Sequence, residues 1–356
     1  MGVELKEVCI ITVPNDPPYH DGNDAIEQSH NMSGLIFLDP DWCVMVADEK
    51  RGVHRLRVVR DAKGIPHFLY DAALDLVLPS ETFLQNHGIG VEDIDKLELD
   101  LEAVARNGDD ILFVGSHANK RKRGQVNPAS HLVAIASVSD LRSKSEVPAR
   151  WASLDGLFGA INVLRDRLNK QLQCGGLNIE GATVFGKNLL IGLRSPTHGT
   201  DGNDSGAYVI STSVEKLVDE DFYGATLHVL PTDRPFIGIR SMETVRDAVL
   251  VITGDAGVPG LVDKQGNPKV PECGSNLNEE DAGRPFQLRV WKPSTGDAFE
   301  PDPIVTFKPV VEDDAEGKPS LAKLEAIADD PGSPGAFFIL YDGSNKVRHL
   351  MGLELP

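Results

Sequence analysis

Ile179-Glu180-Gly181 opens an apolar run, and a second apolar run following it closes on Gly192-Leu193-Arg194; the fold is decided by the return of this pattern along the chain. Met32-Ser33-Gly34, Leu101-Glu102-Ala103, Arg240-Ser241-Met242 and Leu324-Glu325-Ala326 open runs of the same kind. Their second runs end in the polar clusters Ala47-Asp48-Glu49, Gly115-Ser116-His117, Gly254-Asp255-Ala256 and Tyr341-Asp342-Gly343. A motif that returns once per structural unit marks a repeat architecture.

The repeat has further parts. A third strand-like run follows each polar cluster, at residues 53–59, 131–135, 207–210, 286–290 and 347–351. A fourth ends three times in proline, at Pro79, Pro231 and Pro309, which suits an outer edge strand where a missing amide donor costs least. The second unit has a rougher counterpart near 149–154, and the last unit runs out of chain after its third strand. Residues 8–14 carry the missing pattern, so the N-terminal strand is expected to complete the final unit. This predicts an all-β, five-bladed β-propeller in a single domain over residues 1–356, with the blades in radial repetition. A sixth blade within 118–175 is the alternative, in a region without its own motif. The spacing of apolar residues over 157–172 predicts an inserted helix, and 257–284 and 310–320 read as long surface loops.

The formal net charge of −19 argues against a nucleic-acid partner, which would need a basic surface. No apolar run approaches membrane-spanning length, and Glu4, Lys6 and Glu7 interrupt the N-terminal stretch where a secretory leader would be apolar. The cysteines Cys9, Cys43, Cys174 and Cys273 are scattered with no CxxC pair. They point to a reduced, cytoplasmic setting, with an exported chain lacking its leader as the other reading.

If the five openings face one axis, Ser33, Glu102, Glu180, Ser241 and Glu325 form a ring of oxygens. Three carboxylates in a confined channel repel one another unless a positive charge joins them. A hard-ligand set without sulfur or imidazole favours Ca2+ over Mg2+ or Zn2+. The competing reading is that these glutamates line water or pair with Arg240. The polar clusters would form a second ring at the mouth, including Asp48, Glu49, Arg51, His117, Arg194, Asp255 and Asp342. The run Lys120-Arg121-Lys122-Arg123 follows directly and is the one dense basic stretch in an acidic chain. Metal, arginine and lysine together hold a phosphoryl or carboxylate group, while Asp48, Glu49 or His117 could activate water. A solvated surface loop is the plain alternative for the basic run.

Leu177-Asn178-Ile179-Glu180-Gly181 followed by Gly192-Leu193-Arg194-Ser195-Pro196 resembles a bacterial propeller family known only as a domain of unknown function. That family carries Gly-Leu-Arg-Gly-Pro after Ile-Glu-Gly; Ser195 stands here where its glycine is usual. The order serine, glutamate, glutamate, serine, glutamate around five blades is also similar to that of the calcium-activated nucleotidases, or apyrases. Those enzymes hydrolyse nucleoside diphosphates around a central Ca2+. Val46-Ala47-Asp48-Glu49-Lys50-Arg51-Gly52-Val53 resembles their Asp-Asp-Arg-Thr-Gly-Val stretch, and by that likeness Asp48 sits near the metal-bound water with Glu49 beside it. Ser116-His117-Ala118-Asn119-Lys120 replaces their aromatic residue, so base stacking does not carry over.

The expectation is a Ca2+-dependent hydrolase of a phosphate or other small anionic ester at the propeller mouth. Asp48, Glu49, His117 and Arg194 would act in catalysis. Lys120, Arg51, Arg240, Asp255 and Asp342 would bind substrate, and the five-oxygen ring would hold the metal. The rival, from another class, is a non-catalytic propeller binding a ligand or protein, with Ca2+ as a fastener.

Overall fold

A computed structural model describes residues 4–10, 32–47, 53–62, 64–90, 98–119, 127–199, 204–256, 285–300, 302–307, 310–313, 319–342 and 346–353. In chain order its strands are β1 (Glu4–Ile10), β2 (Met32–Asp39), β3 (Trp42–Ala47), β4 (Val53–Arg60), β5 (Pro66–Leu76), β6 (Leu101–Asn107), β7 (Asp110–Gly115), β8 (Leu132–Ser137), β9 (Glu146–Val147) and β10 (Ala149–Ser153). There follow β11 (Asn178–Phe185), β12 (Asn188–Ser195), β13 (Gly206–Ser213), β14 (Thr226–Pro231), β15 (Ile237–Val245), β16 (Ala248–Asp255), β17 (Phe286–Trp291) and β18 (Val305–Phe307). The last four are β19 (Val310–Asp313), β20 (Pro319–Asp329), β21 (Phe337–Asp342) and β22 (Lys346–Met351).

Five sheets result, ordered β2-β3-β4-β5-β9, β10-β8-β7-β6, β11-β12-β13-β14, β15-β16-β17-β18 and β1-β22-β21-β20-β19. This is the expected five-bladed β-propeller. Two-residue turns join first and second strands in four of the sheets, as at Gly186-Lys187, where Gly186 takes φ of 63°. A positive φ matches the twist of the flanking strands and costs glycine least. Pro231 ends β14, the outermost strand of its sheet. Glu4 of β1 lies opposite Met351 of β22, so the first strand does complete the last sheet.

Two local expectations need correction. Part of the 310–320 loop is β19, in which Val310 and Val311 pair antiparallel with Ala322 and Leu321; the acidic residues that follow hid this short β-branched pair. The inserted helix is two short ones, Asp155–Ala160 and Asn162–Arg165, separated by Ile161 in extended backbone. Leu157, Phe158 and Leu164 still reach the core from these turns, so their spacing was helical without the helix being continuous. The expected loop 257–284 lies outside the described residues.

The chain packs as two compact units, one of residues 1–114, 134–151 and 309–356, the other of 115–133 and 152–308. The first centres on Phe37, stacked on Phe338 at 5.3 Å, with Phe68 edge-on to Phe338 at 5.1 Å. The second centres on Trp291 with Leu190, Ile239, Leu230 and Val251. Each such side chain contributes about 1.5–3 kcal/mol through burial. Among the described residues no helix is long and apolar enough to cross a membrane. Cys43 is a buried free thiol, its pKa raised by that burial. Cys174 is disulfide-bonded.

Candidate functional site

A β-bulge sits at the opening motif in four sheets. Met32 and Gly34 face Ala47 and Val46, consecutive residues, which leaves Ser33 as the extra residue. Glu180 is extra between Ile179 and Gly181, and Glu325 between Leu324 and Ala326. In β15 the shift falls between Ile239 and Ser241, so the extra residue is Arg240. A bulge re-aims one side chain and increases the local twist. The structural equivalent of Ser33, Glu180 and Glu325 is therefore Arg240, not Ser241, and the aligned order of the ring is corrected at that position.

This one-residue shift brings opposite charges together in the second unit. Arg194 Nη1 donates to Glu180 Oε1, and Arg240 Nη1 donates to Oε2 at 2.9 Å. Arg240 Nη2 donates to the main-chain oxygen of Asp255 at 2.8 Å, and its guanidinium lies 5.7 Å from the Phe286 ring. All four charged residues are buried, Arg240 completely. Glycines allow β15 to come this close. A Cβ on Gly181 would lie 2.8 Å from Ile239 Cγ2, and one on Gly238 would collide with the Arg194 carbonyl. Thr183 and Thr244 fasten the same strands, hydroxyl to hydroxyl, at 2.9 Å.

A second polar group lies beside this one. His117 follows β7 with φ of 56°, a left-handed conformation costing a non-glycine residue about 1 kcal/mol. Its N–H donates to the Ser130 carbonyl at 2.9 Å. Its ring lies flat on that of His131, centroids 3.7 Å apart and planes within 1°. Phe158 meets it edge-on at 4.5 Å. Asp155 Oδ1 accepts from His117 Nε2 at 3.1 Å and lies 2.8 Å from His131 Nδ1, the latter out of line for a hydrogen bond. His117 Nδ1 and both ring nitrogens of His131 are buried without a hydrogen-bond partner among the described residues. The Asp155 side chain is 46% exposed, which opens the group to solvent.

Burial pushes the His117 imidazole down to about 4, against the upward pull of Asp155, so the ring is neutral at pH 7. Burial raises Asp155, but the hydrogen bond from His117 and the close approach of the His131 imidazole outweigh that and hold the carboxyl well below the usual range. The two groups branch from a single link: Ile179 N–H donates to the Ser116 carbonyl at 2.7 Å, with Glu180 following one partner and His117 the other.

Of the expected site residues, His117, Arg194, Arg240, Glu180 and Asp255 belong to the second unit, as does Ser241, which is buried one position past the bulge. Ser33, Glu102 and Glu325 belong to the first unit; Ser33 and Glu325 are buried and Glu102 is half-buried. Asp342 ends β21, opposite Lys323. Asp48, Glu49, Arg51 and Lys120 lie outside the described residues. Glu180 does not fit a Ca2+ ligand. Both its oxygens face guanidinium groups, which would repel a dication.

Sequence reasoning missed His131 and Asp155. Each stands far from His117 along the chain, and no short spacing joins the three. The available signal was histidine at the entry to a third strand, beside a polar cluster already containing one.

Residues 31–147 match the model of a family described as a protein of unknown function, DUF3616. No functionally curated protein matches the sequence. Solved structures similar to this chain include the WD40 beta propeller domain of Doa1, at 9% identity over 91% of this chain and 94% of that one, TM-score 0.35. YCF48 bound to D1 peptide matches at 9% identity over 96% and 67%, TM-score 0.35. Virginiamycin B lyase from Staphylococcus aureus matches at 8% identity over 99% and 100%, TM-score 0.34. The likeness concerns fold and no chemistry.

Proposed function

We propose that this protein hydrolyses a small anionic ester, phosphate or carboxylate, at the polar strand ends of its second unit. The observation that carries this reading is the Ser116–Ile179 hydrogen bond, which brings a buried arginine pair and a histidine–carboxylate group to neighbouring positions. Such hydrolysis needs fixed positive charge where negative charge develops and a group that removes a proton from water. Arg194 and Arg240, two guanidiniums facing the single carboxylate of Glu180, supply the first, and the His117–His131–Asp155 group supplies the second. Water oxygen bonds to the ester phosphorus or carbon, the bond to the alcohol oxygen breaks, and the water's proton passes through the histidine group to the departing alkoxide. The Ca2+ ring expected from the sequence has no part in this reading, because Arg240 and Arg194 already supply the counter-charge to Glu180.

The test is a screen of phosphomonoesters, phosphodiesters, carboxylic esters and lactones with wild type, Asp155→Asn and Arg194→Met. Turnover of one class should fall by about 10²–10⁴ in Asp155→Asn, and Arg194→Met should raise KM. Full activity in Asp155→Asn, or no turnover of any class by folded wild type, would reject the hydrolase. Binding of such a compound without turnover would leave the non-catalytic binding module in its place.

A further inference from the structure

We infer that His117, His131 and Asp155 form a site for one divalent first-row transition-metal ion, of the Zn2+ class and not Ca2+. One ligand atom from each residue lies within 4.8 Å of the other two. The shared carboxylate oxygen stands 3.1 Å from His117 Nε2 and 2.8 Å from His131 Nδ1. Ligands held about 2.0–2.1 Å from a tetrahedral ion are roughly 3.3 Å apart, so the group needs little expansion to admit one.

Three further observations point to a cation. Both ring nitrogens of His131 are buried with no hydrogen-bond partner among the described residues, an arrangement that costs free energy until something occupies one of them. No arginine or lysine pairs with Asp155 among the described residues, whereas Glu180 faces two arginines. The carboxylate thus brings a negative charge that only imidazoles attend. His117 also holds its left-handed backbone at this spot, and such outliers gather where a side chain must be aimed.

The donor chemistry selects the ion. Two imidazoles and one carboxylate suit Zn2+, Fe2+, Co2+ or Mn2+, while Ca2+ takes six to eight oxygens. Three protein ligands leave a coordination position open, and the half-exposed Asp155 gives that position a way to solvent. The imidazoles now lie parallel, so one nitrogen lone pair cannot reach the same ion as the other until His131 tilts out of the stack. Binding is therefore coupled to unstacking. A bound ion would serve the proposed hydrolysis by acidifying water, but the site does not rest on that reading.

The experiment strips the full-length chain with a chelator, then titrates Zn2+ by calorimetry and Co2+ by visible absorption. One ion per chain should bind, with the intense visible bands of low-coordinate Co2+, and Ca2+ at the same concentration should give no heat. Asp155→Asn and His131→Gln should each weaken Zn2+ by at least the roughly 10–100-fold that loss of an outer-shell partner brings. Far-UV circular dichroism establishes that each variant is folded; if His131→Gln is not, the half-exposed Asp155→Asn decides. Unchanged Zn2+ affinity in the folded variants, or no saturable binding by wild type, overturns the site. Intact Zn2+ binding without esterase activity would sink the hydrolase and leave this inference standing.

Discussion

Asp330 and Asp155 each accept a hydrogen bond from a histidine Nε2, at 3.0 Å from His349 and 3.1 Å from His117. Around Asp330, in the first unit, other donors close the set. Arg60 Nη2 lies 2.5 Å away and the Gly332 N–H 2.9 Å, and the carboxylate is fully buried. Around Asp155, in the second unit, there is a second imidazole, solvent and no guanidinium among the described residues. Charge neutralised from within makes the first a fastener across strand ends. Charge left without a cationic partner makes the second a place for a ligand. The histidine–carboxylate pair alone does not separate the two roles; its other neighbours do. Glu180, between Arg194 and Arg240, is of the closed kind.

The contrast can be broken by measurement. The largest effect is expected from Glu180→Ala, which strands two buried guanidiniums and should cost about 4 kcal/mol in urea unfolding. A Ca2+-ligand role would instead make that loss depend on added calcium. Next comes His54, buried in the first unit with neither ring nitrogen hydrogen-bonded among the described residues and its pKa lowered by burial to about 4. The native state resists its protonation, so stability should decline as pH falls from about 6.5 to about 4, by on the order of 3 kcal/mol. His54→Leu should flatten that limb of a stability-against-pH series.

Asp330→Asn should cost about 2 kcal/mol, because Arg60 and His349 lose their charge partner. Burial raises the Asp330 pKa, but its hydrogen bonds to His349, Arg60 and Gly332 prevail and lower it. Its stabilisation is present above the ordinary carboxylate pKa and is lost as pH falls through the lowered one, so the variant's deficit should vanish in strong acid. The smallest effect belongs to Asp155→Asn, expected to cost under about 1 kcal/mol at a half-exposed position. If thermal unfolding finds Asp155→Asn as damaging as Asp330→Asn, the distinction between fastener and ligand site fails.

Much of the fold was legible because blade strands are short, punctuated and repeated. The pattern at residues 8–14 announced a closing strand, which lies at Glu4–Ile10 with residues 11–14 outside the described residues, and the proline ending β14 marked an outer edge. The site was less legible for a geometric cause. A bulge inserts one residue without changing the apolar rhythm, so Ser241 could be aligned where Arg240 belongs, and the counter-charge to Glu180 was assigned to a metal. His117 was recognised from its polar cluster. His131 and Asp155 join it through the turn ending at His131 and the short helix beginning at Asp155, neither of which has a spacing signature. The cysteines were opaque too, since pairing depends on proximity in space.

Because β1 is seated beside β22, the first strand in the described order must wait for the last before its edge is covered. The sheets β11-β12-β13-β14 and β15-β16-β17-β18 are each continuous in the chain and can form while synthesis proceeds. The first unit draws on both β1 and β22 and becomes whole only once β22 has emerged. Until then β1 is an open edge, the kind of segment that chaperones shield and that pairs with neighbouring nascent chains when they do not.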